Sequence, residues 1–182
     1  RRAIDGARRR RIYLFRHGAV DYINPDGSWV ADPDGVNLNV KGRAQAVAMH
    51  ALCADVVLDK AVCSGLPRTR QTGEAILGER DIPLEIAPGF EEIRPAKPAA
   101  NIDGEPDYDV VADIAYSHWR AQEASATFLG GERYRDFYAR ISEAMEVLLA
   151  DPDWPKKVSE GRVDEILRCS YCNVCKQLDE NF

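Results

Sequence analysis

The chain has 182 residues, of which 45% are hydrophobic and 30% charged, and its formal net charge is −6. This balance is typical of one soluble globular domain. The chain contains no run of about 18 apolar residues, the length that a membrane-spanning helix needs. Six Arg lie in residues 1–11, so the rest of the chain is acidic, which argues against a general nucleic-acid binder. We expect residues 1–10 to form a solvated basic N-terminal arm.

Strand-like and helix-like segments alternate along the chain. Three short apolar runs predict buried strands, at 11–15, 56–63 and 82–86. Helical spacing of apolar residues predicts four helices, one after Asn39 and the others at 69–77, 108–124 and 132–150. A long loop is predicted at 94–107. This alternation predicts a three-layer α/β/α domain with a mostly parallel sheet.

Arg16, His17 and Gly18 follow directly on the first predicted strand. Ligands of open α/β sheets gather outside the carboxyl ends of the strands, so His17 lies where a reacting residue would be. A neutral imidazole is a competent nucleophile when its other ring nitrogen donates to a backbone carbonyl, and Gly18 permits that close approach. Arg16 offers paired donors for phosphate oxygens. Taken alone, this tripeptide fits a surface turn equally well.

Arg68 follows the second predicted strand and opens a helix, whose N-terminus favours anions. Ser64 and Thr69 fit helix caps, and Arg70 fits a solvated helix residue.

Glu91 and Glu92 follow the third predicted strand. A carboxylic acid beside a basic pocket can protonate a leaving alcohol. Without the two preceding groups, these residues would be interpreted as exposed loop acids.

In this order, the three groups resemble the motifs of the histidine phosphatase superfamily, the phosphoglycerate-mutase-like group. The matching segments are Arg16-His17-Gly18, Leu38-Asn39 with Gly42, Ser64 with Arg68, Gln71 and Thr72, Glu92 followed by Ile93, and Gly131-Glu132. The resemblance implies a phosphoglycerate-mutase-like domain over 11–154. Each motif alone is short, and it is their combination in sequence order that indicates the family.

The resemblance implies hydrolysis or transfer of a phosphomonoester's phosphoryl group through a phosphohistidine on His17. Arg16 and Arg68 match the residues that bind the phosphoryl group, and Glu92 matches the general acid. No metal and no cofactor are implied, because Arg and His supply the positive charge at the transition state. The expected partner is a small-molecule or protein phosphomonoester.

One part of the family pattern is missing. The family has a second histidine after its last core strand, beside the phosphoryl group. This chain has only His17, His50 and His118, and the last two fall on predicted helices. Residues 155–168 hold no apolar run for a strand. We therefore expect the domain to lack its last core strand and to have impaired activity. The alternative is a catalytically inactive relic or a module that binds phosphorylated ligands.

The segment 155–182 looks foreign to this family. From Glu160 to Cys175 it resembles a fragment of the old-yellow-enzyme-like flavoproteins that carry an iron–sulfur cluster, in which a C-x-x-C-N-x-x-C run supplies thiolates. Cys169, Cys172 and Cys175 follow this run with the last interval one residue short. We interpret the segment as a tail without a site in a truncated or chimeric sequence. A partial metal or iron–sulfur module is the alternative.

The remaining cysteines, Cys53 and Cys63, lie in apolar surroundings. They are predicted to be reduced core residues, which favours a cytoplasmic location.

Overall fold

A computed structural model describes residues 11–96 and 123–151, the single residues 113, 117 and 121, and the backbone at 8–9 and 157–158. These residues form the following strands and helices: β1 (Arg8–Arg9), α1 (Val40–Leu52), β2 (Ala61–Cys63), α2 (Pro67–Leu77), β3 (Leu84–Ile86), α3 (Tyr134–Ala150) and β4 (Lys157–Val158). Single turns of 3-10 helix lie at Pro88–Phe90 and Phe128–Gly130.

β2 and β3 form a parallel pair in which Ala61 lies opposite Leu84 and Cys63 lies opposite Ile86. α2 connects the two strands and packs against both of them. Parallel strands joined through a helix are the repeating unit of α/β domains. The predicted α/β class is therefore confirmed. β1 and β4 form a separate antiparallel pair, with Arg8 opposite Val158.

The first predicted strand is not formed. Residues 11–15 belong to no strand, and the side chains of Ile12 and Leu14 are 47% and 77% exposed. A strand exists only through hydrogen bonds to a neighbouring strand, and an apolar run does not show whether that neighbour is present. Within the described residues β2 and β3 pair only with each other. The prediction was wrong because it considered the apolar residues without a pairing partner.

The helix that follows Asn39 begins as predicted but buries another face. The Asn39 side chain caps α1 by accepting a hydrogen bond from the Gly42 N–H. Gly42 and Ala46 are buried, whereas Val47 and Leu52, from the predicted apolar stripe, are exposed. Small residues allow closer backbone contact than branched ones, so residue size rather than hydrophobicity selects the packed face here.

The helices around β3 also match the sequence pattern. α2 ends at Gly78, which has a φ of 59° and so occupies the left-handed region that favours glycine.

Cys53 and Cys63 are buried free thiols, as predicted. Asp113 and Ser117 have helical backbone conformation, but most of the predicted helix 108–124 lies outside the described residues.

Four other predictions concern residues that are mostly outside the described parts of the chain. They are the basic arm 1–10, of which only the backbone of 8–9 is described, His118, the loop 94–107 beyond residue 96, and the cysteines of the segment 155–182. In the parts of the chain that are described, no helix combines the length and the apolar character needed to cross a bilayer.

Candidate active site

Both α1 and α2 hold the backbone that follows His17. The Gly18 N–H donates to Thr72 Oγ1 at 3.1 Å, and that hydroxyl donates to the Arg68 carbonyl at 2.7 Å. The Ala19 N–H donates to Oε1 of Gln45 at 2.8 Å. The two residues after the predicted nucleophile are therefore fixed to one helix each, although the segment before His17 forms no strand.

Two glycines allow α1 to approach the His17 segment. A Cβ placed on Gly18 would lie 2.4 Å from the Gly42 carbonyl oxygen, and a Cβ on Gly42 would lie 2.1 Å from the Ala19 carbonyl oxygen. Both obstacles are backbone atoms, which cannot turn aside as a flexible side chain can. Glycine is therefore required at both positions, which gives a physical reason for two of the motifs found in the sequence.

His17 is held in one tautomer. Its Nδ1 lies 2.7 Å from the Gly18 carbonyl oxygen and donates its proton there, which leaves the lone pair on Nε2. Burial lowers the pKa of His17, the hydrogen bond to Gly18 opposes this, and the charges of Arg68 and Arg16 lower it further. Nε2 is buried and has no hydrogen-bond partner among the described residues. The ring is thus neutral, with a free lone pair.

We expect an NMR titration of the His17 ring to have its midpoint below the ordinary pKa of 6.5, because burial and two Arg charges disfavour the imidazolium. The unfolded chain then binds the proton more readily than the folded chain does. His17 therefore contributes stability that is complete above pH 6.5 and is lost as the pH falls through the folded-state pKa. A His50→Gln variant simplifies the assignment of the ring signals. A midpoint at or above 6.5 would contradict this environment for His17.

Arg68 is almost fully buried in the first turn of α2, with 5% of its surface exposed. Its Nη1 donates to the carbonyl oxygens of Pro33 at 2.9 Å and Asp34 at 3.4 Å. The guanidinium carbon lies 5.8 Å from the centre of the Tyr22 ring. Nε of Arg68 is buried and has no partner in the described part of the chain. Because buried donors are normally satisfied, this unused N–H indicates a place for an acceptor.

The turn before α2 leaves the helix N-terminus without a side-chain cap, contrary to the cap predicted from Ser64 or Thr69. Ser64 Oγ donates to Thr69 Oγ1 at 3.0 Å, and Thr69 Oγ1 donates to the Leu66 carbonyl at 2.8 Å. Gly65, with a φ of 100°, makes the sharp turn that places Leu66 at the N-cap. No side chain of this turn therefore occupies the N-terminus of α2, the end of a helix that favours anions.

Arg16 and Glu92 are exposed at the edge of the same region. Their charges act on His17 in opposite directions, since Arg16 lowers and Glu92 raises the pKa of its ring. Glu91 differs from Glu92, because it forms an ion pair with Arg94 and only 14% of its side chain is exposed. Arg16, Arg68 and Glu92 thus each lie within electrostatic range of His17.

The family model of the histidine phosphatase superfamily (branch 1) matches residues 12–171. The chain belongs to this superfamily. The adenosylcobalamin/alpha-ribazole phosphatase of Salmonella typhimurium is 28% identical over 150 residues, which cover 79% of this chain and 69% of that protein. The solved alpha-ribazole phosphatase of Shigella flexneri is 27% identical, with a TM-score of 0.51 over 73% of this chain. The aligned part is 64% of the Shigella chain, so the present chain spans less than two thirds of that enzyme.

The chain also has a short similarity outside the superfamily. An NADH oxidase of Thermoanaerobacter brockii is 59% identical over 27 residues near the C-terminus, which are 15% of this chain and 4% of that protein. The family model extends to residue 171, past the boundary predicted near residue 154. The domain boundary and the origin of segment 155–182 therefore stay predictions.

Two residues of the candidate site, Tyr22 and Gln71, were given no role by the sequence. Tyr22 lies half-buried beside Arg68, and burial raises the pKa of its hydroxyl. Gln71 holds the loop before α1, since its Oε1 accepts the Leu38 N–H at 2.8 Å and its Nε2 donates to Asn37 Oδ1 at 2.6 Å. The motif indicated Gln71 without a role, whereas nothing in the sequence distinguished Tyr22 from other loop aromatics.

His50 lies at the opposite end of α2 from Arg68. Its Nδ1 is 2.9 Å from the Ile76 carbonyl oxygen, and its ring contacts Gly78. At a rise of about 1.5 Å per residue, the separation of eight positions between Arg68 and Ile76 places His50 more than about 10 Å from the N-terminal end of α2. His50 therefore does not supply the second histidine that the family pattern requires.

Proposed function

We propose that this chain removes phosphoryl groups from phosphomonoesters through a phosphohistidine on Nε2 of His17. One observation carries the proposal. Within the described residues, Nε2 of His17 and Nε of Arg68 are the buried side-chain polar atoms that have no hydrogen-bond partner. The Gly18 N–H, next to His17, donates to Thr72 Oγ1, and that hydroxyl donates to the Arg68 carbonyl, so one hydrogen-bonded chain links the two residues. A free lone pair beside an unused cationic donor complements an electrophilic phosphorus and its anionic oxygens.

In the proposed first step, Nε2 of His17 attacks phosphorus and the bond to the leaving alcohol breaks. The Gly18 carbonyl, which already accepts the Nδ1–H, stabilises the positive charge that develops on the ring. Arg68 and Arg16 bind the phosphoryl oxygens, and Glu92 gives its proton to the leaving oxygen. Water then attacks phosphorus, returns a proton to Glu92 and releases phosphate, which restores neutral His17.

The proposed substrates are small-molecule or protein phosphomonoesters. The names of the Salmonella and Shigella relatives make alpha-ribazole phosphate the first compound to assay. Transfer to a second alcohol, instead of water, would make the protein a mutase with the same intermediate. Lack of a second histidine favours a slower enzyme than its relatives, and in the limiting case a protein that binds phosphorylated ligands without turnover.

The test is covalent labelling. Incubation with a ³²P-labelled phosphomonoester followed by denaturing quench should give a protein-bound label that is acid-labile and base-stable, as expected for a phosphoramidate. His17→Ala should abolish the label, whereas His50→Gln, a histidine change outside the site, should keep it. Equal labelling of wild type and His17→Ala would refute the assignment. No label in any variant, together with phosphate binding by wild type, would favour the ligand-binding module.

A further inference from the structure

Arg140, in the middle of α3, binds the backbone of the segment that carries Glu92. Its Nη1 donates to the carbonyl oxygens of Gly89 and Glu91, both at 2.9 Å, and its Nη2 lies 3.5 Å from the carbonyl oxygen of Glu92. The Arg140 guanidinium therefore contacts three backbone carbonyl oxygens of the loop segment 89–92.

Glu132 holds Arg140 in place from the other side. Its two carboxylate oxygens accept from Nε of Arg140 at 3.0 Å and from Nη2 at 2.8 Å, a bidentate pair with both side chains largely buried. The Arg140 guanidinium lowers the pKa of Glu132, so the pair stays ionised. Since Arg140 is pre-oriented by this pair, less conformational entropy is lost in holding the carbonyls.

The same loop is attached once more beyond Glu92. The Arg94 N–H donates to Oε2 of Glu132 at 3.2 Å, and the Glu132 N–H donates to the Arg94 carbonyl at 2.8 Å. A Cβ on Gly131 would lie 2.2 Å from that carbonyl oxygen, so glycine is needed for the approach. Residues 89–94 are thus attached on both sides of Glu92, to Arg140 in α3 and to Glu132 just before α3.

We propose that Arg140 is a positioning residue for Glu92, an inference that rests on the proposed acid role of Glu92. No described residue hydrogen-bonds to the Glu92 carboxylate, so its location is determined by its own backbone. That backbone is placed by Arg140 and by the Glu132 pair. A general acid must lie within hydrogen-bond reach of the leaving oxygen, and an error of about 1 Å can cost about 10²-fold in rate.

The test measures the activity of the full chain on two phosphomonoesters that differ in their need for a general acid. p-Nitrophenyl phosphate has a good leaving group, whereas β-glycerophosphate has a poor one that must be protonated. We expect Arg140→Ala and Arg140→Lys to lower kcat on β-glycerophosphate by about 10- to 10²-fold and on p-nitrophenyl phosphate by less than about 3-fold. Lys keeps the charge but cannot reproduce the planar fork that spans the carbonyls and Glu132.

A purely structural role would lower the melting temperature and both activities in equal proportion. Arg135→Ala, at an exposed position of the same helix, should leave the ratio of the two activities unchanged. If folded Arg140→Lys keeps the wild-type ratio while Glu92→Gln shows the selective loss, the positioning inference fails and the proposed function stands. If Glu92→Gln loses both activities equally, the acid role itself fails.

Hydrogen exchange gives a readout that does not require turnover. The N–H groups of Phe90 and Glu91 donate to Ala87 and Pro88 carbonyls within the same loop. We expect these amides to exchange about 10-fold faster in Arg140→Ala than in wild type or in Arg135→Ala, because the loop loses its attachment to α3. Equal exchange in the three proteins would overturn the inference.

Discussion

Arg68→Ala should lower kcat/KM for p-nitrophenyl phosphate by about 10²–10³-fold, a loss of about 3–4 kcal/mol in transition-state binding. The guanidinium is 5% exposed, so its charge acts in a region from which water is largely excluded. Its Nη1 is already held by the loop carbonyls of Pro33 and Asp34, whereas Nε has no partner among the described residues and is the atom that we propose to bind the phosphoryl group. A preorganised donor of this kind costs no reorganisation when charge develops in the transition state.

Arg70→Ala is the matched control, because Arg70 lies two residues further along α2 and is exposed. We expect it to change kcat/KM by less than about 3-fold, as is usual for a surface charge. Stabilisation by inorganic phosphate supplies a second readout, since a ligand that binds only the folded state raises the melting temperature. Phosphate should stabilise wild type and Arg70→Ala but not Arg68→Ala. Larger losses in Arg70→Ala than in Arg68→Ala would refute the placement of the phosphoryl group.

The motifs predicted those parts of the site that depend on one residue type at a fixed distance from an element. His17 follows the first apolar run, Arg68 follows β2, and both have the unsatisfied atoms on which the proposed function rests. Arg140 could not be found in this way. Arg140 lies 48 positions from Glu92 in the sequence and contacts backbone carbonyl oxygens. Since every residue has such an oxygen, no side-chain pattern reveals the contact.

The errors in the predicted fold have a common cause. Periodicity describes which residues are apolar, but burial depends on what packs against them. Leu14 is apolar and exposed because no described strand pairs with its segment. Gly42 was not predicted as a core residue, yet it is buried, because only glycine fits against the Ala19 backbone. Strand pairing and close backbone contacts are features of the tertiary structure, and a single sequence gives little information about them.

Residues 11–15 form an apolar run that is largely exposed. In a parallel α/β sheet the strand that precedes the nucleophile is normally buried on both faces. Here Leu14 is 77% exposed, and the parallel sheet of the described residues has two strands, β2 and β3. We propose that residues 11–15 lack the neighbouring strand that the family places after α3. That strand would also have carried the second histidine. In this proposal both defects arise from the segment 155–182, which holds no apolar run.

Replacing residues 155–182 with a family-like strand that ends in His-Gly should therefore raise both stability and activity. The added imidazole would supply one preorganised donor to the phosphoryl group, an effect of about 10²–10³-fold in kcat. The control is the same strand ending in Gln-Gly, which should restore cooperative unfolding, measured by calorimetry, with a smaller gain in kcat.

Without the replacement, exposed apolar surface and unpaired edges should make the chain prone to aggregation. A contrary result is an unmodified chain that melts cooperatively as a monomer and turns over phosphomonoesters at about 1–10³ per second. In that case the C-terminal segment is not a defect, and another residue, with His118 as the first candidate, supplies the charge.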